Sequence, residues 1–158
     1  MSTQGSLTET AAVATFATLL RAHATATRKL NALLLSEHGL TLSDYEVLLR
    51  LAHAPERRLR RVDLAEQVVL SASGITRLLD GLEAAGYVER GECPSDRRVV
   101  YAVLTEAGRA KLREAQRSHV AHVEALFAER LDDAEVAQLG ELLGKLGEGP
   151  PGACVADG

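Results

Sequence analysis

Four residues near the middle of the chain, Ser71, Ser73, Thr76 and Arg77, are of types suited to gripping an anionic polymer or the polar edges of bases. They open a segment in which Ile75, Leu78, Leu79 and Leu82 recur at helical spacing, which turns Ser73, Thr76, Arg77 and Asp80 to the opposite face. Short hydroxyls let a helix backbone come close to its target, and a helix N-terminus attracts phosphate. The arginine fork fits a guanine edge or a phosphate. A plainer reading stands beside this one: Ser71 or Ser73 caps the helix, and Arg77 is a solvated charge. A second group follows in Cys93-Pro94-Ser95-Asp96-Arg97-Arg98. Pro94-Ser95-Asp96 is turn chemistry, flanked by a strand starting over Tyr87 to Arg90 and by the β-prone run Val99 to Leu104. This predicts a hairpin with Arg97 and Arg98 at its tip, where a basic side chain can enter a minor groove. Asp96 beside them is expected to orient an arginine by a bidentate pair. Asp-Arg turns also occur on ordinary hairpins, so it is the conjunction of helix and hairpin that points to nucleic acid.

The elements that must hold these groups follow from periodicity and punctuation. A long helix is predicted from Thr10 to about His38, with Phe16, Leu20, His23, Thr27, Leu30 and Leu34 in one stripe and Gly39 as its stop. A length of this kind suits packing against a partner chain. Ser43 with Glu46 is read as a capping box for a second helix ended by Pro55. A short strand over Leu59 to Arg61 and a short helix from Val62 to Val69 come next, then a turn into the Ser/Thr/Arg helix, with Gly86 at its C-terminal end. Thr105 is expected to cap a fifth helix over about Glu106 to Arg130, and Asp132 with Glu135 a sixth lined by Val136, Leu139, Leu142, Leu143 and Leu146. The expected fold is mainly α (α+β): a winged helix-turn-helix with a two-stranded β-wing, plus N- and C-terminal helices that form a dimerisation region. The expected organisation is a disordered N-terminus over 1–9, helical dimerisation segments over 10–40 and 106–146, a DNA-binding domain over 41–105 and a disordered tail over 147–158.

Composition narrows the class of function. The 158 residues are 46% apolar but only 3% aromatic, so the core must be built from Leu, Val and Ala. No run of 18 or more apolar residues is present and the first residues lack a secretory pattern, so a cytoplasmic chain without a membrane span is expected. Cys93 and Cys154 are too few for a disulfide framework or a four-cysteine zinc site. The net charge of −4 argues at first against a nucleic-acid binder. Its distribution changes that: residues 56–98 balance 8 basic against 8 acidic groups, and the deficit lies in residues 99–158, with 6 against 10. Within the middle third, Arg57, Arg58, Arg60 and Arg61 cluster, as do Arg97 and Arg98, and local patches matter more than the total. No ordered Ser/His/Asp set, phosphate-binding glycine loop or metal-ligand cluster stands out, so the chain is not expected to be an enzyme and no cofactor is expected.

The runs LSASGITRLLDGLEAAGYVER and CPSDRRVVYAVLTEAG resemble the MarR family of transcriptional regulators, and the resemblance extends over roughly residues 10–146. It implies a homodimer in which the first, fifth and sixth helices interlock. Each subunit then presents its fourth helix to a major groove and its wing arginine to a minor groove of a pseudo-palindromic double-stranded DNA site. By this resemblance Ser71, Ser73, Thr76 and Arg77 read the groove, Asp96 and Arg97 serve the wing, and Arg90 and Arg98 contact phosphates. Members of the family mostly repress, and many release DNA when a small phenolic or carboxylate effector binds.

Within that expectation, an anionic effector calls for a cation or imidazole from the first helix, which singles out Arg21, His23 and Arg28. His23 reads first as a satisfied core or interface histidine, and the two arginines as solvated or interfacial ion-pair formers. The chain has no Trp, unlike the urate-binding branch of the family, and its cysteines do not sit where the peroxide sensors carry theirs. Zinc sensing is an alternative, with His38, His119 and His122 as weak ligand candidates. Another is a winged-helix protein-interaction module without DNA readout, motivated by the acidic C-terminal third.

Overall fold

The computed structural model describes residues 10–68, 70 and 72–147. The chain divides into two compact units at the step from His119 to Val120. In the first unit the order is α1 (Ala11–His38), α2 (Leu42–His53), β1 (Arg58–Arg60), α3 (Arg61–Gln67), α4 (Ala72–Ala84), β2 (Val88–Cys93), β3 (Asp96–Leu104) and the start of α5 (Glu106–Ala128). The second unit holds the end of α5 and α6 (Asp133–Leu146).

The helix boundaries follow local chemistry. Thr10 accepts a hydrogen bond from Val13 N–H to start α1, and Gly39 ends it at φ 67°, a left-handed conformation that glycine adopts without the steric cost other residues meet. The capping box of α2 is two residues earlier than the Ser43/Glu46 spacing suggests. Thr41 accepts from Asp44 N–H at 3.0 Å, and the Asp44 carboxylate accepts from Thr41 N–H at 2.8 Å. Asn31 of α1 explains the shift: its side-chain oxygen accepts from Leu42 N–H at 2.8 Å, satisfying the first free amide of α2 from a neighbouring helix. The Asp132/Glu135 box of α6 forms as its spacing predicts. Between α2 and β1, Pro55 starts a single 3-10 turn in which Glu56 and Arg57 both take φ 55°. Two consecutive non-glycine residues in this region are strained, and they turn the chain sharply into β1.

The sheet has three strands in the order β1-β3-β2, all antiparallel. The hairpin β2–β3 is the expected wing, and β1 adds Arg58–Arg60 to its far edge. The core of the first unit joins all its layers: Leu34 of α1, Val47, Leu48 and Leu51 of α2, Leu64 of α3, Ile75, Leu79 and Leu82 of α4, Val88 of β2, Ala102 and Leu104 of β3, and Leu112 and Ala115 of α5. It is aliphatic apart from Tyr45, as the composition requires. Gly108 marks the tightest joint. A Cβ there would stand 2.1 Å from the Tyr87 carbonyl oxygen, so α5 meets the foot of β2 only because residue 108 has no side chain.

Several large apolar residues stay exposed: Val13, Phe16 and Leu20 on α1 in the first unit, and Leu142, Leu143 and Leu146 on α6 in the second. Among the described residues no helix is long and apolar enough to cross a membrane.

Candidate nucleic-acid interface

Residues Ala72–Ala84 form α4 because its apolar positions fall at i, i+4 and i+7, and Ile75, Leu79 and Leu82 are buried accordingly. The opposite face carries Ser73, Thr76, Arg77 and Asp80, all exposed. Ser73 lies inside the helix as its second residue, so it is not the cap that its position also suggested. Ser71 lies outside the described residues. The helix ends in a Schellman arrangement: Gly86 at φ 79° donates to Glu83 O at 3.0 Å and Tyr87 donates to Leu82 O at 2.9 Å. Thr105 then locks α4 to α5. Its hydroxyl donates to Gly86 O at 2.7 Å and accepts from Gly108 N–H at 3.0 Å.

The wing tip is less regular than a plain hairpin. Glu92 pairs with Val100, yet the next residue, Cys93, pairs with Asp96, so Arg97, Arg98 and Val99 bulge from the β3 side without partners on β2. Asp96 closes this bulge through the backbone: its carboxylate accepts from Arg98 N–H at 2.9 Å, and the Arg98 guanidinium stays 3.7 Å away. The expected bidentate Asp–Arg pair is therefore not what Asp96 makes. A carboxylate two residues before an arginine reaches the amide more readily than the guanidinium. Arg98 projects with its side chain 95% exposed. The Cys93 thiol lies 3.2 Å from the Ser95 hydroxyl. Hydrogen bonding to that hydroxyl, then to the Ser95 and Asp96 backbone, pulls its pKa down.

The cations separate into two sets. Arg57 pairs with Glu106 of α5, Arg58 stacks 3.9 Å over the Tyr101 ring, Arg60 forks onto Asp63 at 2.7 and 2.8 Å, and Arg61 donates to Glu83 at 3.3 Å. Arg90 lies 3.7 Å from the same Glu83. Arg77 and Arg97 have no such partner among the described residues. The run at Arg57–Arg61, which looked like a basic patch, is thus engaged within the protein, three of its arginines by acids and Arg58 by the Tyr101 ring. What sequence reading missed were its acids, Glu83 and Glu106, whose only signal is a helical position facing an element distant in sequence.

A groove of about 580 Å³ opens between α1 and the start of α2, lined by His23, Ala24, Thr27, Arg28, Asn31, Leu42 and Ser43. It brings together two of the three expected effector contacts, His23 and Arg28. Arg21 is not in its lining and donates to Thr18 Oγ1 at 3.1 Å instead. Thr27 and Asn31 were legible in principle, since positions 23, 27, 28 and 31 share one helical face.

The histidines considered as zinc ligands are engaged elsewhere. His38 Nε2 is 2.6 Å from Ser118 Oγ, and the His119 ring packs 4.5 Å from that of Tyr45. His122 belongs to the second unit. Among the described residues no group of three His, Cys, Asp or Glu is placed to hold a metal.

Comparison with known proteins agrees with this geometry. The sequence pattern described as "MarR family" matches residues 38–99. The HTH-type transcriptional regulator MhqR of Bacillus subtilis (strain 168) is 30% identical over 111 residues, covering 70% of this chain and 74% of its own. The HTH-type transcriptional repressor YetL of the same strain is 31% identical over 111 residues, covering 68% and 66%. Among solved structures, Sco3205, a MarR family transcriptional regulator from Streptomyces coelicolor in complex with DNA, superposes with a TM-score of 0.76 at 30% identity, covering 84% of this chain and 82% of its own. Its helix-turn-helix, its wing and these relatives together place the chain in the MarR family of winged-helix transcriptional regulators.

Proposed function

We propose that this chain acts in the cytoplasm as a homodimeric transcriptional repressor. Each α4 reads a half of a pseudo-palindromic operator, and a small aromatic carboxylate or phenol bound in the α1–α2 groove releases the DNA. The observation that carries the reading is the contrast among cations: Arg77 and Arg97 are exposed and unpartnered among the described residues, whereas neighbouring arginines are tied to acids or to Tyr101. A guanidinium without an internal partner loses nothing when it meets a base edge or phosphate. Arg77 shares its face with Ser73 and Thr76, whose short side chains allow α4 to lie close to base edges. Arg97 sits in the wing bulge, suited to a minor groove, and the exposed Arg98 suits a phosphate. The Sco3205 complex shows that a relative of this fold binds DNA, and YetL is itself a repressor.

Pairing is supported by the exposed Val13, Phe16 and Leu20 on α1 and by Leu142, Leu143 and Leu146 on α6, which one chain alone leaves in water. The groove supports an anionic effector because Arg28 and His23 supply positive or hydrogen-bonding groups, while Ala24 and Leu42 supply apolar wall.

The test is a binding titration of the dimer against the DNA upstream of its own gene and against random duplex, at several salt concentrations. A preference for the upstream DNA, with affinity falling steeply as salt rises, is expected. Equal binding to both duplexes would remove sequence-specific readout. Benzoate is expected to weaken the wild-type complex and to leave an Arg28→Ala complex unaffected.

A further inference from the structure

The recognition helix has an acidic side as well as a basic one. After Thr76 and Arg77 come Asp80 and Glu83, one and two turns on. Carboxylates beside a DNA surface cost affinity by repulsion from phosphates unless cations compensate them. Here they are compensated from both sides. Glu83 Oε1 accepts from Arg61 Nη2 at 3.3 Å and lies 3.7 Å from Arg90 Nε, while Asp80 Oδ1 is 4.0 Å from Arg61 Nη2. Arg61 is the first residue of α3 and Arg90 belongs to β2, so one carboxylate on α4 bridges the preceding helix and the wing. Its inner pair is sheltered: the side chains of Arg61 and Glu83 are 19% and 27% exposed, against 58% for Asp80 and 59% for Arg90. Arg61 Nε is buried with no hydrogen-bond partner.

We propose that Glu83 is a specificity-determining residue for DNA readout, holding Arg61 and Arg90 on the protein so that neither neutralises a phosphate. The inference rests on the DNA-reading function above, and it revises the phosphate role that family resemblance implies for Arg90. Phosphate contacts add affinity for every sequence, and base contacts add it only for the right one. Withholding two arginines therefore lowers binding to random DNA while leaving the contribution of Arg77 and the wing intact, which widens the ratio between operator and competitor DNA. The same bridge keeps α3, α4 and the root of the wing in one geometry.

The test uses the full chain and a mixed-sequence 30-base-pair duplex, with anisotropy titrations over a series of KCl concentrations. Glu83→Gln is expected to bind on the order of tenfold tighter than wild type at low salt, with the slope of log K against log salt steeper by about 0.9 for each arginine released. Glu89→Gln removes the same charge from an exposed position on β2 whose side chain has no partner among the described residues, and it should leave the slope unchanged. Arg61→Gln alone should also match the wild-type slope. Added to Glu83→Gln, it should remove about 0.9 of the gain. An unchanged slope in Glu83→Gln, or a shallower slope in Arg61→Gln alone, overturns the proposal. The second result decides the matter even if Glu83→Gln does not fold. Wild-type chain that binds no duplex at all overturns the DNA-reading function and this inference with it; wild-type binding with an unaltered Glu83→Gln slope overturns this inference alone.

Discussion

Between Arg57 and Arg61 four guanidiniums each meet a group on the protein: Glu106, the Tyr101 ring, Asp63, and Glu83 with Asp80. On α4 and in the wing bulge, Arg77 and Arg97 meet none among the described residues, and Arg98 extends into solvent. Residue type and charge are the same in both regions. What differs is which elements the fold lays beside them. β1 runs along β3 and next to the start of α5, which supplies an aromatic face and acids. The outer face of α4 and the bulged tip of β3 are exposed, and among the described residues no acid pairs with Arg77 or Arg97. A cluster of arginines in sequence is therefore weak support for a binding surface until its acids are located.

Five substitutions would break or sharpen this contrast. The largest effect is expected from Gly108→Ala, which strikes the frame both regions share. The added Cβ meets the Tyr87 carbonyl at 2.1 Å, so backbone must move, and the loss in unfolding free energy should be about 1–3 kcal/mol. A denaturant melt within error of wild type would show that the joint is softer than its geometry. Next, Arg77→Ala and Arg97→Ala should each weaken operator binding by about 1–3 kcal/mol while leaving thermal stability nearly unchanged. A comparable loss of stability would mean that these arginines serve the fold after all.

The reverse is expected in the other region. Arg58→Ala should cost about 0.5–1 kcal/mol of stability through the lost contact with Tyr101, with no change in duplex affinity. Weakened DNA binding there would erase the distinction between the two sets.

The smallest effect concerns acid. The Arg57 guanidinium holds the Glu106 carboxyl below its ordinary pKa. A carboxyl depressed on folding stabilises the protein fully above its unfolded pKa, and that contribution is lost as pH falls through the folded value. The pair is largely exposed, so the effect is slight. Glu106→Gln should lose a little stability at neutral pH and converge with wild type in acid, so that the acid side of its stability profile is slightly flatter. An identical acid limb in wild type and variant would show that the pair adds nothing to folding.

Much of the fold was readable from local rules. The stop at Gly39, the Asp132/Glu135 box, the buried face of α4 and the wing strands all depend on residues within a few positions of one another. Where the reading slipped, a distant residue intervened. Asn31 satisfies the first amide of α2 and lets Thr41 take the cap that Ser43 was expected to hold. Asp96 is the exception: its bond to the Arg98 amide two positions on is local, and the competing Asp–Arg pairing was expected in its place. The α1–α2 groove was half legible: Arg28 and His23 follow from the kind of ligand expected and Thr27 and Asn31 share their helical face, whereas Leu42 and Ser43 join the lining only once α2 lies against α1.

By itself, then, the sequence determined the succession of elements, the aliphatic character of the core and the residues that line the outer face of α4, because periodicity and capping act over one or two turns. Only the tertiary structure decided which arginines are available to a partner. That choice turns on Arg61 meeting Glu83, 22 positions on, and Arg57 meeting Glu106, 49 positions on. Pairings at such separations form only when the core brings the elements together.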